Sequence, residues 1–126
     1  MKFSHKYIIV GAGSAGCVLA NKLSEDPKNS VLLIEAGPLD SSYSIKMPLA
    51  ASSLFKSKKY GWGYETEPEK NLNNRTINWP RGKTLGGSSS INGMLYVRGQ
   101  ADDYDNWEKL GNNGWGYRDL LKYFIA

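Results

Sequence analysis

The first regular pattern along the chain is an unbroken apolar run, Tyr7-Ile8-Ile9-Val10, rich in β-branched residues and cut off by glycine. A short run with no polar alternation predicts a strand buried on both faces of a parallel sheet. After Gly11-Ala12-Gly13-Ser14-Ala15-Gly16, the residues Ala15, Val18, Leu19, Lys22 and Leu23 recur at helical spacing, with Lys22 the polar interruption, and Asp26-Pro27 ends the pattern. Val31-Leu32-Leu33-Ile34 then repeats the buried-strand signature. Strand, helix and strand together make a unit of about thirty residues, the size of a right-handed βαβ crossover. The chain is therefore expected to begin as an α/β fold with a parallel sheet.

From Pro38 to Lys59 the pattern decays into Ser, Lys and small residues, with Pro48 placed to open a short helix over Leu49, Leu54 and Phe55. Trp62, Tyr64 and Thr66 alternate with Gly63 and Glu65, which predicts a strand with one aromatic face, halted by Pro68. The polar turn Asn71-Leu72-Asn73-Asn74 lets Ile77 to Trp79 pair back as a hairpin. A glycine-rich stretch, Gly82 to Gly93, follows. Asp102 and Asp103 are placed to cap a short helix carrying Tyr104, Trp107 and Leu110, ended by Gly111. Tyr117, Leu120, Leu121 and Phe124 keep i, i+3, i+4, i+7 spacing up to Ala126 without a terminating signal, so the end is read as an interruption within a helix. The tetrapeptide GWGY occurs at 61–64 and 114–117, but one copy leads a strand and the other precedes a helix. It is read as coincidence, not as a repeat.

Composition narrows the classes. With 126 residues, 40% hydrophobic and 22% charged, the chain is an ordinary globular one, long enough for one domain but short for a doubly wound sheet plus a substrate domain. The net charge of +4 comes from scattered Lys and Arg with no dense run, so no nucleic-acid partner is expected. A lone Cys17 excludes an internal disulfide and a multi-cysteine metal site, and no metal is expected. Met1 to Lys6 runs straight into a four-residue apolar segment, too short for a signal peptide or membrane span. The expected location is the cytoplasm, with peripheral attachment of a longer protein to the inner membrane left open.

The six residues from Gly11 to Gly16 form a GxGxxG motif between the first strand and first helix, the context in which it signals a dinucleotide. Gly11 permits the tight turn, Gly13 lets a pyrophosphate approach the backbone, and Gly16 lets helix and strand pack closely. The helix N-terminus offers unpaired N–H groups and a positive dipole end to the anion. Glu35 ends the second strand nineteen residues after Gly16, where a carboxylate accepts hydrogen bonds from a ribose. An acid there disfavours NADP. This unit leaves NAD and FAD open, because both are gripped by the same ADP half.

The sequence further along decides between them. Trp79-Pro80-Arg81-Gly82-Lys83-Thr84-Leu85-Gly86-Gly87-Ser88-Ser89-Ser90-Ile91-Asn92-Gly93-Met94 is poor helix or core material but suits a loop whose N–H groups and hydroxyls meet a polar ligand. This stretch resembles the first signature of the glucose-methanol-choline oxidoreductases, and GAGSAG with Glu35-Ala36-Gly37 resembles their FAD-binding start. Tyr64 to Pro68 and Gly114 to Tyr117 look like the choline dehydrogenase branch. The resemblance implies a Rossmann-type FAD-binding domain over 1–126, an incomplete N-terminal fragment of a larger two-domain flavoenzyme. By that resemblance Gly11, Gly13, Ser14, Ala15, Gly16, Glu35 and Ala36 hold the ADP half. Thr84, Gly86, Gly87, Ser88 and the tetrad Asn92-Gly93-Met94-Leu95 lie against the flavin.

The implied activity is oxidation of a small-molecule alcohol, choline favoured, with electrons passed on to an acceptor that the resemblance leaves open. The family's histidine base and its second His or Asn come from a far C-terminal region, so no catalytic residue is expected in this chain, and an inert nucleotide-binding module is the alternative. Some choline-oxidising relatives attach FAD through a histidine just before the loop asparagine. Here that residue is Ile91, so non-covalent FAD is expected. His5 reads as a solvated tail residue and Cys17 as a packing thiol, while Arg81 and Lys83 are equally suited to phosphate, flavin or solvent.

Overall fold

The computed structural model describes residues 4–125, and its contacts divide the chain into two compact units, Met1–Met94 and Leu95–Ala126. The first unit opens as the apolar pattern predicts. Strand β1 (Tyr7–Val10) pairs in parallel with β2 (Val31–Ile34), in register from Tyr7 opposite Val31 to Val10 opposite Ile34. Helix α1 (Ser14–Ser24) makes the crossover and ends before a turn in which the Asp26 carboxylate accepts the Lys28 N–H at 2.9 Å.

Burial departs from expectation in this unit. The strands are not covered on both faces: Ile9 is buried, but Ile8 is 61% and Val10 84% exposed. The apolar stripe of α1 likewise leaves Val18 and Leu19 more than half exposed, and the helix has no buried residue. The cause is the number of layers. Among the described residues the parallel sheet has two strands, so flanks that a wider sheet with helices on both faces would cover remain open.

The weakly patterned segment resolves into single turns: α2 (Tyr43–Lys46), a 3-10 turn at Pro48–Ala50 and α3 (Ala51–Leu54). Pro48 opens its turn as expected, since a first-turn position has no helical N–H partner to lose. The turn at Tyr43–Lys46 was not predicted. It is capped by the Ser42 hydroxyl, which accepts the Ser44 N–H. Leu54, Tyr60 and Ile91 form the buried core here, with Ile45 packed against it. The predicted hairpin is present as β3 (Tyr64–Glu65) antiparallel to β4 (Asn78–Trp79), its loop bent by Asn73 and Asn74 at φ +56° and +54°. A 3-10 turn at Gly87–Ser90 lies inside the second glycine-rich stretch.

The second unit contains α4 (Ala101–Lys109) and α5 (Tyr117–Phe124). The cap of α4 is not Asp102. Gln100 is the N-cap, and the Asp103 carboxylate reaches back to accept the Gln100 N–H at 3.1 Å, a reciprocal capping box. Gly111, at φ +100°, ends this segment as predicted. Tyr104 packs against Trp107 edge-to-face at 5.2 Å and against Phe124 at 5.4 Å, joining the apolar faces of the two helices. The expected interruption at Ala126 lies outside the described residues, as does the start of the tail, Met1 to Phe3.

Candidate functional site

The site is built where three segments of the first unit meet: the turn after β1, the end of β2, and the second glycine-rich loop. Gly11 stands at φ +96°, in the region that favours glycine, and its N–H donates to the Ile34 carbonyl at 2.7 Å. A Cβ at Gly16 would overlap the Gly11 carbonyl, so helix and turn are packed as tightly as glycine allows. Gly13 is different. Its φ of −76° is open to any residue, and a Cβ there would meet no protein atom within 4 Å. Nothing inside the protein requires glycine at 13; the space it leaves empty belongs to the cleft. Gly13 is also the N-cap of α1 and supplies no side-chain cap, so the first-turn N–H groups stay available to an anion.

Glu35 lies across from this turn and holds it. One carboxylate oxygen accepts the Ala12 N–H at 2.8 Å and the other accepts the Gly37 N–H at 2.8 Å. Each oxygen retains a further lone pair for an outside donor. Ala12, fully buried, is fixed at its carbonyl as well, which accepts from the Gly86 N–H at 2.7 Å and the Cys17 thiol at 3.2 Å. Cys17 thus serves packing, as expected.

The second loop is sewn to the first and to the segment that follows β2. Gly86 and Gly87 adopt φ +86° and +59°, and a Cβ on Gly87 would come within 3.0 Å of the Gly13 Cα. The Pro38 carbonyl accepts both the Leu85 N–H at 3.0 Å and the Thr84 hydroxyl at 2.7 Å. These segments border an open cleft of about 570 Å³. Gly11 and Gly13 form one wall, Ile34, Glu35 and Ala36 a second, and Gly82, Gly87 and Ser88 a third. Trp62, Tyr64 and Arg81 close the remaining side.

Of the residues singled out from sequence, the cleft brings together Gly11, Gly13, Glu35, Ala36, Gly87 and Ser88. Ser14 and Ala15 are exposed in the first turn of α1. Gly16 and Gly86 serve close packing behind the cleft, Gly86 because a Cβ would overlap the Ser90 hydroxyl. Thr84 requires a correction: it is expected against the cofactor but has no exposed surface, and its hydroxyl is committed to Pro38. It braces the loop from behind. Asn92 and Met94 line a separate cavity of about 330 Å³ beside Asp40 and Ser44, with Gly93 exposed between them. Met94 is left-handed at φ +58°, its N–H donating to the Asn92 side-chain oxygen at 2.8 Å. Leu95 begins the second unit and is 89% exposed.

Sequence reasoning missed the aromatic wall. Trp62 and Tyr64 stack with nearly parallel rings whose centres are 6.0 Å apart, and the Lys83 ammonium lies 4.7 Å from the Trp62 ring centre. The signal was the one-faced aromatic alternation, which reads equally as core packing or as a platform for a flat ligand. His5 is exposed beside Ser30, its Nδ1 at 3.1 Å from the hydroxyl. Among the described residues no cluster of His, Cys, Asp or Glu is suited to a metal ion, and no helix is long and apolar enough to cross a membrane.

Comparison with known proteins places this geometry. The chain is 59% identical over 118 residues to the oxygen-dependent choline dehydrogenase of Rhizobium etli (strain CIAT 652), covering 94% of this chain and 22% of that protein. It is 55% identical over 120 residues to an alcohol dehydrogenase (acceptor) of Pseudomonas putida, again covering 22% of the relative. The chain thus spans about a fifth of the length of these curated relatives. Among solved structures, pyridoxine 4-oxidase from Mesorbium loti superposes with a TM-score of 0.89 at 41% identity, over 96% of this chain and 24% of that one. An FAD-dependent oxidoreductase from Chaetomium thermophilum matches with a TM-score of 0.81 at 42% identity, over 97% of this chain and 20% of that one. The profile of the GMC oxidoreductases matches residues 5–126, nearly the whole sequence, and the chain belongs to that family.

Proposed function

We propose that the chain, as an FAD-binding domain over 1–126, grips the ADP half of non-covalent FAD in a flavoenzyme that oxidises alcohols, with choline the favoured substrate. The observation that carries this reading is Gly13: a glycine no protein neighbour requires, opening into a cleft beside an uncapped helix N-terminus and facing Glu35. The turn's N–H groups and the α1 dipole receive the pyrophosphate. The free lone pairs of Glu35 accept ribose hydroxyls, and the Trp62 and Tyr64 faces offer a flat apolar wall. FAD, when bound, supplies the hydride acceptor for alcohol oxidation. The relatives named above support the class. The R. etli choline dehydrogenase supports choline, and the P. putida relative supports the broader alcohol chemistry.

Non-covalent attachment is supported by Ile91, which has no nucleophilic atom and is 3% exposed in the core with Leu54 and Tyr60. Titration of FAD into the purified chain, followed by flavin fluorescence, tests the central reading, and saturable binding is expected. No binding by correctly folded chain would refute it. Choline-dependent dye reduction by the full-length protein, compared with simple primary alcohols, tests the substrate.

A second reading, a nucleotide-binding module without turnover of its own, is favoured by the single histidine. His5 is exposed at the approach to β1, engaged with Ser30, and does not line the cleft. Alcohol-dependent dye reduction by the 126-residue chain itself would refute this reading.

A further inference from the structure

Arg81 and Lys83 are equal candidates by sequence, but the structure separates them. Lys83 places its ammonium over the Trp62 ring and donates its backbone N–H to the Tyr60 carbonyl at 2.8 Å; its side chain is not among those lining the cleft. Arg81 lines the cleft and, among the described residues, is its sole cationic wall residue, as Glu35 is its sole anionic one. A nucleotide diphosphate adds further negative charge beside that carboxylate. Helix N–H groups offset part of it, and among the described residues Arg81 supplies the full cation that lines the cleft itself.

The Arg81 guanidinium is held in advance. One of its N–H groups, at Nη1, donates to the Pro80 carbonyl at 2.7 Å, and its centre lies 5.3 Å from that of the Trp79 ring. That bond uses one donor of a five-donor fork suited to paired phosphate oxygens. The backbone is fixed on both sides as well. The Arg81 carbonyl accepts the Trp62 N–H at 3.0 Å, and the next N–H, of Gly82, donates to the Ser88 hydroxyl at 3.0 Å. Arg81 also borders a recess of about 250 Å³ that carries Lys56 and Lys58, which raises the positive potential on that side.

We infer that Arg81 is the charge partner of the nucleotide diphosphate and sets the cleft's preference for diphosphate-bearing ligands over neutral adenosine. This rests on the FAD reading and adds a residue to it. Calorimetric titration of the full chain with ADP, adenosine and FAD, at two salt concentrations, is the test. The wild type is expected to bind ADP more tightly than adenosine. Arg81→Met should weaken ADP and FAD about tenfold or more, leave adenosine unchanged and flatten the salt dependence. Arg81→Lys should recover part of the loss.

Three results would count against the inference in distinguishable ways. ADP affinity unchanged in Arg81→Met, while Gly13→Val abolishes it, overturns the role of Arg81 and leaves the FAD reading standing. An equal loss for ADP and adenosine makes Arg81 a prop for the Trp62 wall, which also overturns it. Binding of neither ADP nor FAD by folded wild type removes the reading on which both rest.

Discussion

Replacing Glu35 by Gln tests how the candidate cleft is held as well as how it binds. Both carboxylate oxygens accept backbone N–H groups, from Ala12 and Gly37, each at 2.8 Å. Hydrogen bonds to a charged acceptor contribute about 1.5–3 kcal/mol each, whereas a neutral one contributes about 0.5–1.5. Gln keeps one neutral acceptor and turns an NH2 group toward the other N–H, so one bond is weakened and one lost. Glu35 is half-buried and water replaces part of the loss. The expected destabilisation is about 2 kcal/mol, or ~30-fold in the folding equilibrium. Urea unfolding of the full chain, followed by tryptophan fluorescence, measures this, and FAD titration should show weakened affinity in the same variant. Wild-type stability together with weakened FAD would make Glu35 purely a ligand-facing group. Wild-type values for both would refute its role in the cleft.

Gly13→Val should leave the melting temperature within a few degrees of wild type, because a Cβ there meets no protein atom within 4 Å, while FAD binding is lost; retained FAD would displace the pyrophosphate assignment. Thr84→Val removes a buried hydroxyl's bond to Pro38 and should cost about 1–2 kcal/mol in urea unfolding, with weaker FAD binding as the loop loosens. Acid precipitation of the yellow full-length protein should leave the flavin in the supernatant, and a yellow pellet would show a covalent bond.

Local order was legible in the sequence wherever neighbours in the chain determine it. The β1–α1–β2 start, the asparagine turn and the Gly111 stop follow from patterns a few residues long. Burial was not legible at Ile8 and Val10, because an apolar run states what a strand can bury and not how many layers are there to cover it. Thr84 was misplaced for a related reason. A hydroxyl in a glycine-rich loop suits a ligand edge and a distant carbonyl equally, and its partner Pro38 is 46 positions away. Arg81 and Lys83 could not be told apart because which of them lines the cleft depends on how the segment around Trp62 packs beside them.

The stitching of the second loop to the first also fixes an order of assembly. The β1–α1–β2 unit closes through contacts local enough to form early, but the wall supplied by Gly82, Gly87 and Ser88 arrives only when a distant stretch folds back over Pro38 and Ala12. Contacts that close a long loop form slowly. During synthesis the Gly11–Gly16 turn therefore emerges before the third wall of the cleft, and any ligand that needs that wall must wait until the second stretch has docked. On the FAD reading proposed above, cofactor loading would be a late checkpoint, one that reports that both ends of the first unit have found each other.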